Sequence, residues 1–338
     1  VDGFRLDALN FAMHDPALRD NPPAPDDGTA RTRPFDFQLR KYNQSNPAIP
    51  AFIERIRALT DDYDAVFTMA EVGGADALRE MHLYTKGSHR LNSAYGFDFL
   101  YAEALTPALV AQAQADWPDR AGAGWPSWAF ENHDAPRALS RWCAPQDRAI
   151  FARVKVLLLA SLRGNPIIYQ GEELGLTQVD IPFEQLQDPE AIANWPLTLS
   201  RDGARTPMPW LQEAAEGGFT TGKPWLPLGA ENLDRAVDRQ VADPASLLNL
   251  TRDLLVLRRT NPALRLGGFE VLLADDALLV VRRATATHSV LCLFNLSNGE
   301  RPWPEMVEAK GTVLASVNAA MLNETVPAYG ALLIEEMV

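Results

Sequence analysis

At 338 residues, with 47% apolar side chains and no low-complexity tract, the chain can bury a substantial core and has room for one large or two ordinary domains. Its net charge of −13 excludes the Lys and Arg surplus that phosphate binding needs, so nucleic acid is not an expected partner, whereas a neutral ligand is compatible. No run of about 18 apolar residues offers a membrane span, and Cys143 and Cys292 lack the spacing of a disulfide framework or a zinc site.

In chain order, Val1-Asp2-Gly3-Phe4-Arg5-Leu6-Asp7 reads as a short strand ending in a charged pair. Residues two apart on a strand face the same side, which puts Arg5 beside Asp7. A long polar loop containing Asn21-Pro22-Pro23-Ala24-Pro25 follows, and loops of that length in compact domains are usually functional or disordered. A helix is expected from Ala51 to Leu59. Two further apolar runs stop on carboxylates, Ala65 to Glu71 just before Gly73-Gly74, and Trp128 to Asp134 through Asn132-His133. A helix from Arg148 to Leu162, apolar on the face of Val154, Leu157 and Leu158, leads into an expected strand Ile167-Ile168-Tyr169. Another from Leu247 to Arg259 ends at the stop signal Asn261-Pro262. Strands alternating with helices predict βα units and a parallel barrel. From residue 263 the period changes. Short strands at Phe269 to Leu273, Leu278 to Arg282, Ser289 to Asn295 and Gly311 to Val317 predict an antiparallel β-sandwich running to the end.

A lone acid at a strand end is ordinarily a solvated cap. Three apolar runs that each deliver an acid at the carboxyl end fit the mouth of a (β/α)₈ barrel, where catalytic groups stand. The segments Gly3 to Leu9 (GFRLDAL), Ala70 to Gly74 (AEVGG) and Phe130 to Arg137 (FENHDAPR) resemble three successive signature regions of the α-amylase family of glycoside hydrolases, in its α-glucosidase and oligoglucosidase branch. They fall in that family's order. Gly164 to Glu173 resembles the family's eighth strand and its loop, and Arg201 to Trp210 resembles a segment of the oligosaccharide-cleaving branch. The resemblance implies a partial (β/α)₈ TIM barrel, strands four to eight, over residues 1–262, and a C-terminal all-β domain over 263–338. The family's first three strands, its Asp-x-x-x-Asn-His region and its inserted domain have no counterpart here.

By the same resemblance Asp7 is the nucleophile, Glu71 the general acid and then base, and Asp134 a carboxylate that binds sugar hydroxyls next to the reacting carbon. Arg5, Ala8, His133 and Arg201 are implied substrate contacts, with Arg205 a near neighbour of Arg201 in the same segment. Taken alone, His133 would more often be a satisfied structural histidine. Glu131 is expected to support its neighbours rather than react. His14, His82, His89 and His288 have no metal-ligand spacing, and neither a phosphate loop nor a Gly-x-Ser-x-Gly elbow occurs. Trp117, Trp125, Trp128, Trp142, Trp195, Trp210 and Trp225 are candidates for sugar stacking, with packing the plainer role for any one of them.

The implied activity is that of an exo-acting retaining α-glucosidase, releasing terminal non-reducing α-1,4-linked glucose from short α-glucosides and transferring glucose to acceptors that outcompete water. Alternatives in the family are an oligo-1,6-glucosidase or a sucrose- or trehalose-type isomerase; outside it, a non-catalytic structural relative. The last class usually loses catalytic carboxylates, and all three are present. The expected partner is a small oligosaccharide or α-glucoside, with no membrane and no cofactor. A divalent ion of the family would belong to the region without counterpart here. The expected location is cytoplasmic.

Overall fold

In the computed structural model, which describes residues 1–28, 31–117, 124–198, 200–308, 310–319 and 324–337, the chain divides into two units. The first comprises residues 1–97, 117–127 and 188–200. It is built on a parallel sheet of β1 (Gly3–Leu6), β2 (Phe67–Glu71) and β3 (Ser93–Tyr95), in that order. Leu6 lies opposite Ala70, and Glu71 lies opposite Tyr95. The two outer strands therefore deliver Asp7 and Tyr95 on either side of Glu71. Gly3 permits the pairing, because a Cβ there would stand 2.2 Å from the Phe67 carbonyl oxygen. The helix expected from residue 51 spans Ile49–Thr60, starts with Pro50 in its first turn, where the missing N–H costs nothing, and buries Ile49 and Ile53. A second helix, Ala77–Thr85, follows β2 and buries Met81 and Tyr84.

The second unit comprises residues 98–116, 128–187 and 201–338. Strand β4 (Ser127–Ala129) runs into it and pairs with β5 (Asn165–Ile167). That second strand starts two residues before its expected place, and Ile168 and Tyr169 lie outside it. The Tyr169 N–H is taken by a Glu172 carboxylate oxygen at 3.1 Å, and Gly171 turns the chain with φ +88°. From Val154 to Ser161 every residue of helix Arg148–Ser161 is buried, and all but Lys155 and Ser161 are apolar, as a buried stretch of helix must be. Within it sits one buried cation, Lys155. The helix's last carbonyls, and those just beyond it, are capped by arginines from far along the chain. Arg258, on helix Leu247–Thr260, donates to Ala160 O at 2.5 Å, Leu162 O at 2.8 Å and Gly164 O, and Arg283 donates to Ser161 O at 2.5 Å.

The chain ends in an antiparallel sheet made of β6 (Glu270–Ala274), β7 (Leu278–Ala284), β8 (Ser289–Asn295), β10 (Thr312–Val317) and β12 (Ala331–Glu336), in the order β10-β12-β8-β7-β6; β9 (Arg301–Pro302) pairs separately with β11 (Thr325–Val326). Alternate residues Leu278, Val280, Leu291, Leu293, Leu332 and Ile334 form one buried face with Val307 and Val326. The sequence expectation stops at Val317. The structure adds β12, which lies between β10 and β8 and is buried from Ala331 to Ile334.

Candidate active site

The register of β1 and β2 explains the first cluster of acids. With Leu6 opposite Ala70, the next residues, Asp7 and Glu71, leave adjacent strand ends side by side, and parallel neighbours stand about 4.8 Å apart. Arg5 joins them. Its guanidinium pairs with Asp7 through Nη1 and with Glu71 Oε1 through Nη2 at 2.7 Å. Tyr95, one strand further, accepts from Arg5 Nη2 at 3.0 Å and donates its hydroxyl to Glu71 Oε1 at 3.0 Å. Burial pushes the Tyr95 phenol above its ordinary value, so it stays a neutral donor.

The two acids differ in exposure: the Asp7 side chain is 75% exposed and that of Glu71 only 7%. The backbone N–H of Ala8 reaches Glu71 Oε2 at 3.2 Å. Ala8 does this from a left-handed conformation, φ 40° and ψ 46°, which turns the chain sharply after Asp7. Tyr95 was not among the residues singled out from sequence. Its signal is a position opposite Glu71, visible only once β3 is paired with β2.

In the second unit, Asp134 is presented by a side-chain turn. Asn132 Oδ1 accepts from the N–H groups of Asp134 at 2.9 Å and Ala135 at 2.8 Å, the local geometry that Asn favours. Around the Asp134 carboxylate stand Arg205 Nη2 at 2.9 Å, Arg201 Nη1 at 3.4 Å and His133 Nε2 at 3.4 Å. Arg205 also donates to the His133 carbonyl at 2.8 Å, so the arginine that sequence ranked second makes the closer contact. Two of these groups, His133 and Arg205, line a cavity of about 620 Å³ together with Tyr169, Gln170, Thr206, Pro207, Met208, Trp210, Phe219 and Trp225. Trp210 and Trp225 are half exposed at this cavity, whereas Trp117 and Trp128 are buried.

Behind the cavity lies a cluster of four charges, each side chain at most 2% exposed. Lys155 Nζ donates to Glu131 Oε1 at 2.8 Å and Glu172 Oε1 at 2.7 Å, and Arg137 Nη1 donates to Glu131 Oε2 at 3.1 Å. Burial works to raise both carboxyls, and the outcome differs. For Glu131 the two cations outweigh burial and hold the carboxyl below its ordinary value; for Glu172 burial wins and pushes it up to about 7. Glu131 thus supports its neighbours, as expected, while Arg137, Lys155 and Glu172 had no role in the sequence reading.

Among the described residues, no group of three or more His, Cys, Asp or Glu side chains is placed to hold a metal ion, and no helix is long and apolar enough to cross a membrane.

The family profile "Alpha amylase, catalytic domain" matches residues 1–267. A probable α-glucosidase of Rhizobium meliloti is 41% identical over 307 residues, covering 88% of this chain and 55% of that protein. An oligo-1,6-glucosidase of Parageobacillus thermoglucosidasius is 28% identical over 330 residues, covering 88% of this chain and 57% of its own. Among solved structures, the α-glucosyl transfer enzyme XgtA superposes with a TM-score of 0.87 at 37% identity, over 99% of this chain and 64% of that one. The chain therefore spans between about half and two-thirds of the length of these relatives.

Proposed function

The chain belongs to the α-amylase family, whose catalytic domain is a TIM barrel, and we propose that the protein containing it is a retaining α-glucosidase acting on the non-reducing end of short α-glucosides. One observation carries the reading. A single guanidinium, that of Arg5, holds two carboxylates, Asp7 and Glu71, at the ends of adjacent parallel strands. Retention needs two carboxyl groups about 5–5.5 Å apart, and inversion about 6.5–9.5 Å to admit a water between them. Adjacent strands and a shared guanidinium favour the shorter spacing.

Asp7, the more exposed of the two, attacks the anomeric carbon and forms the glucosyl-enzyme. Glu71, buried and in contact with Tyr95, gives its proton to the leaving oxygen and then takes one from the incoming water. Asp134, with Arg201, Arg205 and His133 around it, binds sugar hydroxyls. The exo mode, the preference for α-1,4 linkages and the roles of Ala8 and Arg201 are part of this proposal. So is the assignment of residues 1–262 to strands four to eight of the barrel and of 263–338 to a β-sandwich domain, which the parallel sheet and the C-terminal antiparallel sheet support.

The deciding experiment follows the first sugar released from an α-glucoside by proton NMR. The α-anomer is expected, and β-glucose as the initial product would overturn the two-carboxylate retaining assignment. Likeness to an α-glucosyl transfer enzyme supports a second outcome of the same intermediate, transfer to an alcohol acceptor in place of water. Product analysis with added acceptor separates the two.

A further inference from the structure

We infer that the buried cluster of Glu131, Lys155, Glu172 and Arg137 positions four residues lining the cavity beside Asp134, namely His133, Tyr169, Gln170 and Arg205, and so sets how tightly substrate is held there. The inference rests on the proposed glucosidase reading and assigns new positioning residues to it.

Each segment bearing one of those four residues is tied to the cluster. His133 stands two residues after Glu131, whose Oε1 also accepts from the Ala138 N–H at 3.2 Å, which fixes both ends of the loop. The Tyr169 N–H is held by Glu172, and the Tyr169 ring lies under the Arg137 guanidinium at 4.4 Å. The Gln170 carbonyl accepts from Arg137 Nη1 at 2.9 Å. Arg205 follows Ala204, whose carbonyl takes both Arg137 Nη2 at 3.3 Å and the Tyr169 hydroxyl at 3.0 Å. One arginine fork thus serves three chain segments, and Lys155 locks the carboxylates of two of them together.

Stability alone is a poor reason for this arrangement. Burying charges removes them from water at a cost that their attraction barely returns, and well-packed apolar groups in their place are often as stable or more so. The neighbours of Lys155 on its helix, from Val154 to Ala160, are apolar and buried, so a leucine or methionine at position 155 would suit its surroundings. What apolar groups could not supply is direction: planar, bidentate donors aimed at fixed carbonyls.

The test uses the full natural protein and two charge-conserving changes. Arg137→Lys keeps the cation and loses the fork. The pair Lys155→Met with Glu172→Gln removes one charge of each sign and leaves Glu131 balanced by Arg137. For an aryl α-glucoside we expect KM to rise about tenfold or more in both, with kcat changed less than about threefold and with the thermal midpoint close to wild type. Unchanged KM in folded variants overturns the inference, and so does unfolding of both, because either result assigns the cluster to the fold alone. Wild-type protein without activity on α-glucosides would defeat the functional reading itself and this inference with it; active wild-type protein with unaltered variants would defeat only the inference.

Discussion

The two carboxylate clusters use the same residue types to opposite ends. At the ends of β1 and β2, Asp7 and Glu71 share one guanidinium and stay open enough for Asp7 to be three-quarters exposed. In the second unit, Glu131 and Glu172 share Lys155, Glu131 also pairs with Arg137, and every one of the four is sealed from solvent. A carboxylate that must meet a sugar carbon needs access, which Asp7 has. One that must hold a loop needs every oxygen satisfied, because an unpaired buried charge is costly. Exposure sets Asp7 apart from Glu131 and Glu172; Glu71, nearly as buried as they are, differs in sharing its guanidinium with that exposed acid.

The sharpest break of that contrast removes the reacting acids. Asp7→Asn or Glu71→Gln should each lower kcat by on the order of 10⁴-fold and leave the thermal midpoint nearly unchanged, since neither change leaves a buried charge unpaired. A loss of less than about tenfold would take the residue out of the chemistry.

The mirror experiment unbalances the sealed cluster. Lys155→Met should cost about 3–5 kcal/mol by denaturant unfolding at pH 8, with Glu131 left to Arg137 and Glu172 deprived of the cation it pairs with, and less at pH 5.5, where Glu172 can take up a proton. A cost independent of pH would show that Glu172 does not titrate there.

A third measurement isolates Glu172. Its folded value of about 7 lies above the ordinary 4.5. The native state therefore keeps a proton that the unfolded chain releases, so this group lowers stability as pH rises from about 4.5, with the full cost reached above about 7. Glu172→Gln has no such proton to lose. Its midpoint relative to wild type should climb across that window, and a flat difference would contradict the assignment.

The smallest expected effect concerns Ala8. Ala8→Val should shift the ratio of kcat/KM for maltose over isomaltose by about 1–3 kcal/mol, or 10–200-fold, toward the α-1,6 sugar. Valine in a left-handed conformation is strained, which will also lower stability, but strain common to both substrates cancels in the ratio. An unchanged ratio removes Ala8 from the specificity account.

What could be read in advance followed from local pattern. Apolar runs ending in acids marked β1, β2 and the Asp134 loop, and the 3.6-residue period located the helices at Ile49–Thr60, Arg148–Ser161 and Leu247–Thr260 to within two residues. The resemblance to a family supplied the roles of Asp7, Glu71 and Asp134. What escaped was pairing across the chain. Tyr95 meets Glu71 because β3 pairs with β2, and Lys155 joins residues 24 positions before it and 17 after it. In sequence Lys155 is one of three cations on its helix, with Arg148 and Arg153, and is easily taken for a solvated position like them. The preference for Arg201 over Arg205 also needed the fold, as they lie four residues apart and only the fold shows both turned toward Asp134, with Arg205 closer.

The arginine caps on helix Arg148–Ser161 carry a consequence for how the protein is made. Arg258 lies 98 residues beyond Ala160, and Arg283 lies 122 residues beyond Ser161. At a synthesis rate of about 5–20 residues per second, the helix waits on the order of 5–25 seconds for the groups that cap its carbonyls. During that interval its end stays hydrated. Arg283 belongs to β7, so final closure of the helix depends on a strand of the C-terminal sheet having left the ribosome. That sheet is a late-arriving clasp rather than a separable appendage.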